Sequence, residues 1–108
     1  MENIFEKGHV LAFAELADYS ENGIVSKRVI DKKTGNITLF AFDREQRLSE
    51  HTAPFDAMVQ VIEGEAEIII DGKSNMVKAG EAIIMPAGIR HAVNAPVRFK
   101  MLLTMIKE

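Results

Sequence analysis

The stretch GEAIIMPAGIRH, Gly80 to His91, indicates the fold of this chain more directly than any other part of the sequence. Gly80 supports a turn, and the apolar run that follows it is typical of a buried strand. Pro86-Ala87-Gly88 predicts a second, tight turn, because proline fixes φ and glycine accepts unusual φ values. His91 lies two residues into the strand that follows. We therefore predict two strands joined by a tight turn, with a histidine near the start of the second.

Short strands separated by turns are predicted along most of the remaining chain. Turn signals recur roughly every ten residues, and the segments between them are rich in Ile, Val, Phe and Thr, which is typical of a sandwich or barrel. Asp71-Gly72 is the clearest hairpin signal, because both central residues of a type I′ turn need positive φ. The run MVQVI, residues 58–62, is apolar on both faces. This indicates a barrel interior on one side and a covering layer or subunit on the other.

One segment departs from the strand pattern. The run VLAFAELADY, Val10 to Tyr19, is rich in alanine and places Leu and Phe at helical spacing. It predicts a short N-terminal helix, with an extended arm as the alternative.

The composition narrows the class of protein. A chain of 108 residues is expected to form one domain. The net charge of −3 gives no basis for binding nucleic acid or an acidic membrane. No apolar run could span a bilayer and no signal-peptide core is present, so we expect a cytoplasmic protein. The absence of cysteine excludes disulfides, thiol catalysis and thiolate metal sites. A small domain without disulfides often gains by sharing its core, which is a first hint of an oligomer.

The motif residues resemble those of the cupins, which are small jelly-roll barrels. The second cupin motif is glycine, five residues, proline, one residue, glycine, two residues, histidine, three residues, asparagine. Gly80, Pro86, Gly88 and His91 match every spacing, and Asn94 comes one residue early. The resemblance covers about residues 36–105. It implies an all-β fold, a cupin jelly-roll β-barrel (double-stranded β-helix), within a single domain spanning residues 1–108. It also implies a homodimer, and the apolar strand residues Met58 and Ile62 are candidates for the contact.

The first cupin motif is only partly present. It reads glycine, five residues, His-x-His, three or four residues, glutamate, six residues, glycine. His51 fits the first histidine and Gly64 the closing glycine. Ala53 occupies the second-histidine position, Ala57 the glutamate position, and Glu45 the opening position. Two of the three ligands of this motif are therefore missing.

The missing ligands bear directly on metal binding. The resemblance implies Fe, Mn, Ni, Zn or Cu held by three histidines and one Glu or Gln, whereas only His51 and His91 remain. A site of two imidazoles should bind a divalent ion weakly and only when both rings are neutral. Asp56, Glu50 and Gln60 fall on the opposite face of a regular strand, so an inward Asp56 would require a β-bulge.

We therefore predict a small-molecule-binding cupin whose apolar barrel pocket is marked by the two histidines. The predicted ligand-binding residues are His51, Ala53, Ala57, Val59 and His91. The expected cofactor is at most a weakly bound divalent metal (Ni, Zn, Fe or Mn) on His51 and His91. The alternatives are a metal-dependent dioxygenase or isomerase using this reduced ligand set, and a metal-free sugar isomerase or epimerase with a histidine base. We interpret His9 as a surface residue and the methionines as core gap-fillers.

Overall fold

The computed structural model describes residues 5–107, which fold into nine strands and one short helical turn. The strands are β1 (Ile24–Lys32), β2 (Gly35–Phe42), β3 (Arg47–His51), β4 (Asp56–Glu63), β5 (Glu65–Ile70), β6 (Lys73–Lys78), β7 (Ala82–Met85), β8 (His91–Asn94) and β9 (Phe99–Ile106). Within residues 5–107, no helix reaches the length and apolarity needed to cross a membrane.

The strands form two antiparallel sheets, a five-stranded sheet in the order β1-β2-β9-β4-β7 and a four-stranded sheet in the order β3-β8-β5-β6. Strands distant in sequence are neighbours, as β2 and β9 are, which is the connectivity of a jelly roll. The all-β jelly-roll prediction is confirmed. The predicted hairpin is also present, since Asp71 (φ 50°) and Gly72 (φ 80°) join β5 to β6.

The core lies between the two sheets and follows the strand alternation. On β4, Ala57, Val59 and Val61 are buried, whereas Asp56 and Gln60 are exposed, as the sequence predicts. The rings of Phe42 and Phe99 stack with centroids 4.5 Å apart in the same cluster. The barrel interior is therefore apolar.

The N-terminal segment is an extended arm rather than a helix. Helical geometry is limited to one 3₁₀ turn, Phe13–Glu15. The apolar residues of the arm spread over the outer face of the five-stranded sheet, where they pack with Leu39, Ala41 and Leu102. The predicted helix is therefore confined to this one turn and the arm alternative describes the rest of the segment, because burial of these side chains on the sheet face outweighs local helix propensity.

Polar contacts hold the arm in place. Lys27 Nζ donates to the carbonyl of Leu16 (2.8 Å), and Lys100 Nζ donates to that of Ala14 (2.5 Å). The Tyr19 hydroxyl donates to Glu63, and burial together with this hydrogen bond raises the pKa of Tyr19. The arm is thus part of the folded domain and covers much of one sheet face.

The two residues suggested for a dimer contact lie on this outer face. Ile62 packs against the arm cluster, so the chain itself covers it. Met58 is half-buried and pairs in register with the exposed Ile84. Homodimerisation stays a prediction, and its apolar candidate surface is the part of the sheet around Met58 and Ile84 that the arm leaves uncovered.

Candidate functional site

Two of the predicted site residues meet at one end of the barrel. His51 is the last residue of β3 and His91 the first of β8, and the antiparallel register pairs them directly. Their Nε2 atoms are 3.2 Å apart, and the ring centroids are 4.4 Å apart at an interplanar angle of 70°. The structure therefore brings together two side chains forty positions apart in sequence.

A β-bulge turns His51 towards His91. Leu48 pairs with Val93 and His51 with His91, so Ser49 and Glu50 together oppose the single residue Ala92. In a regular strand, Leu48 and Glu50 would share a face and His51 would point away. The extra residue reverses that alternation, as bulges commonly do beside functional sites. The sequence indicates a bulge only as a condition for an inward Asp56 and carries no signal for this one.

Main-chain carbonyls orient both rings in the same way. His51 Nδ1 hydrogen-bonds the carbonyl of Ser49 (2.8 Å), and His91 Nδ1 that of Ile89 (3.1 Å). A carbonyl oxygen only accepts, so each Nδ1 carries the proton and donates. In the neutral rings, both Nε2 atoms are then acceptors that face each other. These two partners have no signal in the sequence, because any residue type offers the same carbonyl.

The two histidines differ in burial. His51 is exposed, whereas His91 is only 5% exposed. Burial lowers the pKa of His91 below its usual 6.5, and a charge on His51 would lower it further, while the hydrogen bond to Ile89 acts in the opposite direction. Because of this shift, His91 is neutral at neutral pH, and its Nε2 is available as an acceptor or a ligand.

The lowered pKa of His91 predicts a pH-dependent stability. The unfolded chain binds this proton more tightly than the folded protein, so the contribution of His91 is complete above about pH 6.5. It is lost as the pH falls through the lowered pKa. Urea unfolding at pH 7.5 and pH 5.5 should show a larger loss of unfolding free energy for the native protein than for His91→Phe. His9→Gln, which changes an exposed histidine, should retain the native loss. Equal losses in the native protein and His91→Phe would contradict the assignment.

The loops beside the histidines are joined by two hydrogen bonds. Ala87 N donates to Asp56 Oδ1 and Gly88 N to the carbonyl of Ala53, each at 2.8 Å. Asp56 is exposed and holds the Pro86-Ala87-Gly88 turn, which agrees with the prediction that it does not enter the barrel. These bonds fix the segments that follow His51 and precede His91.

The remaining predicted site residues lie nearby but contribute no polar side chain. Ala53 is half-buried in the loop after β3, and Ala57 and Val59 are buried in the core cluster. Among residues 5–107, no group of three His, Asp or Glu side chains could hold a metal ion. The residues present therefore do not fit the divalent site of three histidines and one glutamate that the motif implies.

A cleft with a volume of about 680 Å³ lies elsewhere in the described chain. It is lined by Glu21, Asn22, Asp43, Arg44, Glu45, Val97 and Arg98. Asp43 accepts hydrogen bonds from the Arg98 side chain and from the main chain of Asn22 and Arg44, and these lower its pKa to about 2. Since its central groups already pair with one another, we place the candidate site at the histidines.

The fold and the site define a class: a small jelly-roll barrel with paired histidines at one end. The sequence matches the Cupin domain family over residues 39–106, and the chain belongs to that family.

Solved structures agree with this assignment. The chain is similar to a conserved protein of unknown function from Streptococcus pyogenes, at 36% identity over 98% of this chain and 93% of that one, with a TM-score of 0.92. It also resembles a cupin 2 conserved barrel domain protein from Leptotrichia buccalis (42% identity, 87% of this chain, 46% of that one, TM-score 0.85). A cupin superfamily protein from Desulfitobacterium hafniense shares 26% identity over 96% and 95% of the two chains, with a TM-score of 0.90. No curated protein matches the sequence.

Proposed function

We propose that this protein is a binding cupin that holds a small, mainly apolar molecule at the histidine end of the barrel. The observation that supports this most is the orientation of the two rings, which presents two Nε2 acceptors beside an apolar interior. Small-molecule sites typically combine apolar surroundings with a few convergent polar atoms. A molecule with an apolar body and one hydroxyl or N–H donor is complementary to this arrangement.

The ring environment favours binding over the catalytic alternatives. A metal-dependent dioxygenase or isomerase needs about three protein ligands and an open position, and Ala53 and Ala57 supply none. A histidine base for a sugar isomerase works best with a carboxylate that orients it. Among residues 5–107, no carboxylate bonds to His51 or His91, and carbonyls of Ser49 and Ile89 take that place.

The test uses phenol and benzene as probes, because they have the same ring but differ in a hydroxyl donor. In ¹⁵N spectra of the metal-free protein, phenol should shift the imidazole signals of His51 and His91. Phenol should also bind about tenfold more tightly than benzene, the value of one net hydrogen bond. The exposed His9 supplies an internal reference signal that should not move.

His51→Phe/His91→Phe is the matched variant, since it keeps two aromatic rings and removes both acceptors. It should bind phenol and benzene with similar affinity. If the native protein does not discriminate between the two probes, or if the imidazole signals stay unchanged at millimolar phenol, the proposal fails.

A further inference from the structure

The polar cleft around Asp43 lies at the end of the barrel opposite the histidines. Its lining residues come from the turn between the arm and β1, the loop between β2 and β3, and the loop between β8 and β9. These two loops precede β3 and follow β8, whereas His51 ends β3 and His91 begins β8. The volume of about 680 Å³ lies within the range of about 300–1,000 Å³ that is typical of small-molecule sites. The cleft can therefore hold a ligand, and it is separate from the proposed histidine site.

Arg98 presents an oriented guanidinium group to this cleft. Its Nε donates to Asp43 Oδ1 at 2.7 Å, and its Cζ lies 5.2 Å from the centre of the Tyr19 ring. The Asp43 carboxylate is held in turn by the main-chain N–H groups of Asn22 and Arg44. Within residues 5–107, no hydrogen bond or ion pair uses the two terminal nitrogens of Arg98, Nη1 and Nη2. A guanidinium group held in this way keeps two N–H groups for bidentate binding of a carboxylate.

Three further charged side chains line the same cleft, and within residues 5–107 none of them has a hydrogen-bond or ion-pair partner. They are Glu21, Arg44 and Glu45, all exposed. The hydrogen bond and the charge of Asp43 raise the pKa of Arg98, and the charge of Glu21 adds to this effect. Glu21 therefore lies within electrostatic reach of the guanidinium group.

The backbone around the cleft is held in an unfavourable conformation at two positions. Among residues 5–107, positive φ outside glycine occurs at Asn22 (57°), Glu45 (70°) and Asp71 (50°), and Asp71 belongs to the β5–β6 hairpin. The main-chain N–H of Glu45 donates to the carbonyl of Ala95 at 2.7 Å, which fixes the loop in this conformation. Glutamate has no intrinsic preference for positive φ, and such residues are concentrated at functional sites.

The charges of the cleft indicate the class of ligand. The cleft carries three carboxylates and two guanidinium groups, so a phosphate or a simple carboxylate would meet an excess of negative charge. A molecule with one carboxylate and one ammonium group is complementary to both kinds of side chain. Val97, which also lines the cleft, is 45% exposed and offers an apolar contact. An aliphatic body with both charged groups at one end matches these features.

We infer that this cleft binds an aliphatic amino acid in its zwitterionic form. The ligand carboxylate binds Arg98, and the ligand ammonium group binds Glu21 and Glu45. Since the histidines take no part, this inference goes beyond the proposed function and does not depend on it. The turn that follows the arm supplies Glu21, so a bound ligand would also fasten the arm to the barrel.

The test compares three probes that share one branched apolar body. L-Leucine carries both charged groups, 4-methylpentanoate only the carboxylate, and 3-methylbutylamine only the ammonium group. In ¹⁵N spectra of the full chain at neutral pH, L-leucine should shift the main-chain amide signals of Arg44, Glu45 and Arg98. It should bind about tenfold more tightly than either single-charge probe, and inorganic phosphate should bind no better than 4-methylpentanoate. The imidazole signals of His51 and His91 should not move.

Two variants separate the carboxylate contact from the ammonium contact. Arg98→Lys keeps a positive charge beside Asp43 and removes the paired N–H groups. It should weaken L-leucine binding about tenfold and leave 3-methylbutylamine unchanged. Glu45→Gln changes an exposed side chain without a partner, so the fold should be retained while the preference for L-leucine over 4-methylpentanoate falls. Glu50→Gln makes the same charge change beside His51 and is the control, which should bind L-leucine like the native protein.

The inference is wrong if L-leucine causes no amide shifts at millimolar concentration, or if it binds no more tightly than 4-methylpentanoate. Native affinity for L-leucine in both Arg98→Lys and Glu45→Gln would also overturn it. The phenol experiment reads the imidazole signals at the other end of the barrel, so the two outcomes are distinguishable. A normal phenol response without any L-leucine response would refute the amino-acid site and leave the proposed function standing.

Discussion

Gly64→Ala is expected to destabilise the protein by about 3 kcal/mol or more. Gly64 closes the first motif and links β4 to β5 with φ +77°, a conformation that costs a residue with a side chain about 1–2 kcal/mol. A Cβ at this position would lie 2.1 Å from the carbonyl oxygen of Arg98 and 3.0 Å from Cα of Phe99. Since backbone atoms cannot move aside cheaply, the steric cost adds to the conformational one. Urea unfolding of Gly64→Ala against the native protein measures the sum.

Gly80→Ala separates the steric cost of an added side chain from the conformational cost. Gly80 also has positive φ, +89°, but a Cβ there meets nothing within 4 Å. We expect this variant to lose about 1 kcal/mol, the conformational cost alone. If the two variants lose equal stability, the close approach at Arg98 has no energetic importance and the explanation for Gly64 is wrong.

Glu63→Gln is expected to cost more stability than Lys100→Met, although the two side chains form one ion pair. Lys100 Nζ lies 3.5 Å from Glu63 Oε2, and the lysine side chain is 8% exposed whereas that of Glu63 is 43% exposed. Removing the carboxylate charge leaves the buried ammonium of Lys100 without an opposite charge beside it. We expect the free energy of unfolding to fall by about 2 kcal/mol, a value that allows for the partial exposure of Glu63. Removing Lys100 leaves a carboxylate that still reaches solvent and accepts from Tyr19.

Lys100→Met keeps most of the apolar packing of the side chain but loses the hydrogen bond to the Ala14 carbonyl, so we expect a cost of about 1 kcal/mol. The double variant Glu63→Gln/Lys100→Met should be more stable than the sum of the single effects predicts, because the buried charge is gone. Thermal and urea unfolding of the four proteins test this. A larger loss for Lys100→Met than for Glu63→Gln would contradict the assumed asymmetry.

The features that sequence predicts correctly are those with a local physical cause. Asp71-Gly72 forms a type I′ hairpin because of its φ requirements, and Val59 and Val61 are buried because strand alternation places them with Ala57. The spacing of the second motif identifies the jelly roll, and through it the meeting of His51 with His91 becomes predictable.

The features that sequence analysis missed depend on contacts between distant segments. The bulge that turns His51 inward has no residue signature, since Ser49 and Glu50 are ordinary strand residues. The sequence of the arm predicts a helix because helix propensity depends only on neighbouring residues, whereas the conformation of the arm is set by the sheet face that it covers. The orientation of both rings depends on carbonyl groups, which every residue carries.

The position of β9 has a consequence for how the chain reaches this structure. β9 lies in the centre of the five-stranded sheet, between β2 and β4, although it is the last strand within residues 5–107. The larger sheet therefore cannot close until this strand has been synthesised, and its pairing with β2 joins Gly35 to Ile106. Such non-local pairing slows folding and leaves the unpaired edges of β2 and β4 open to other chains in the meantime. On the ribosome, an emerging chain that lacks β9 should need protection from aggregation by chaperones.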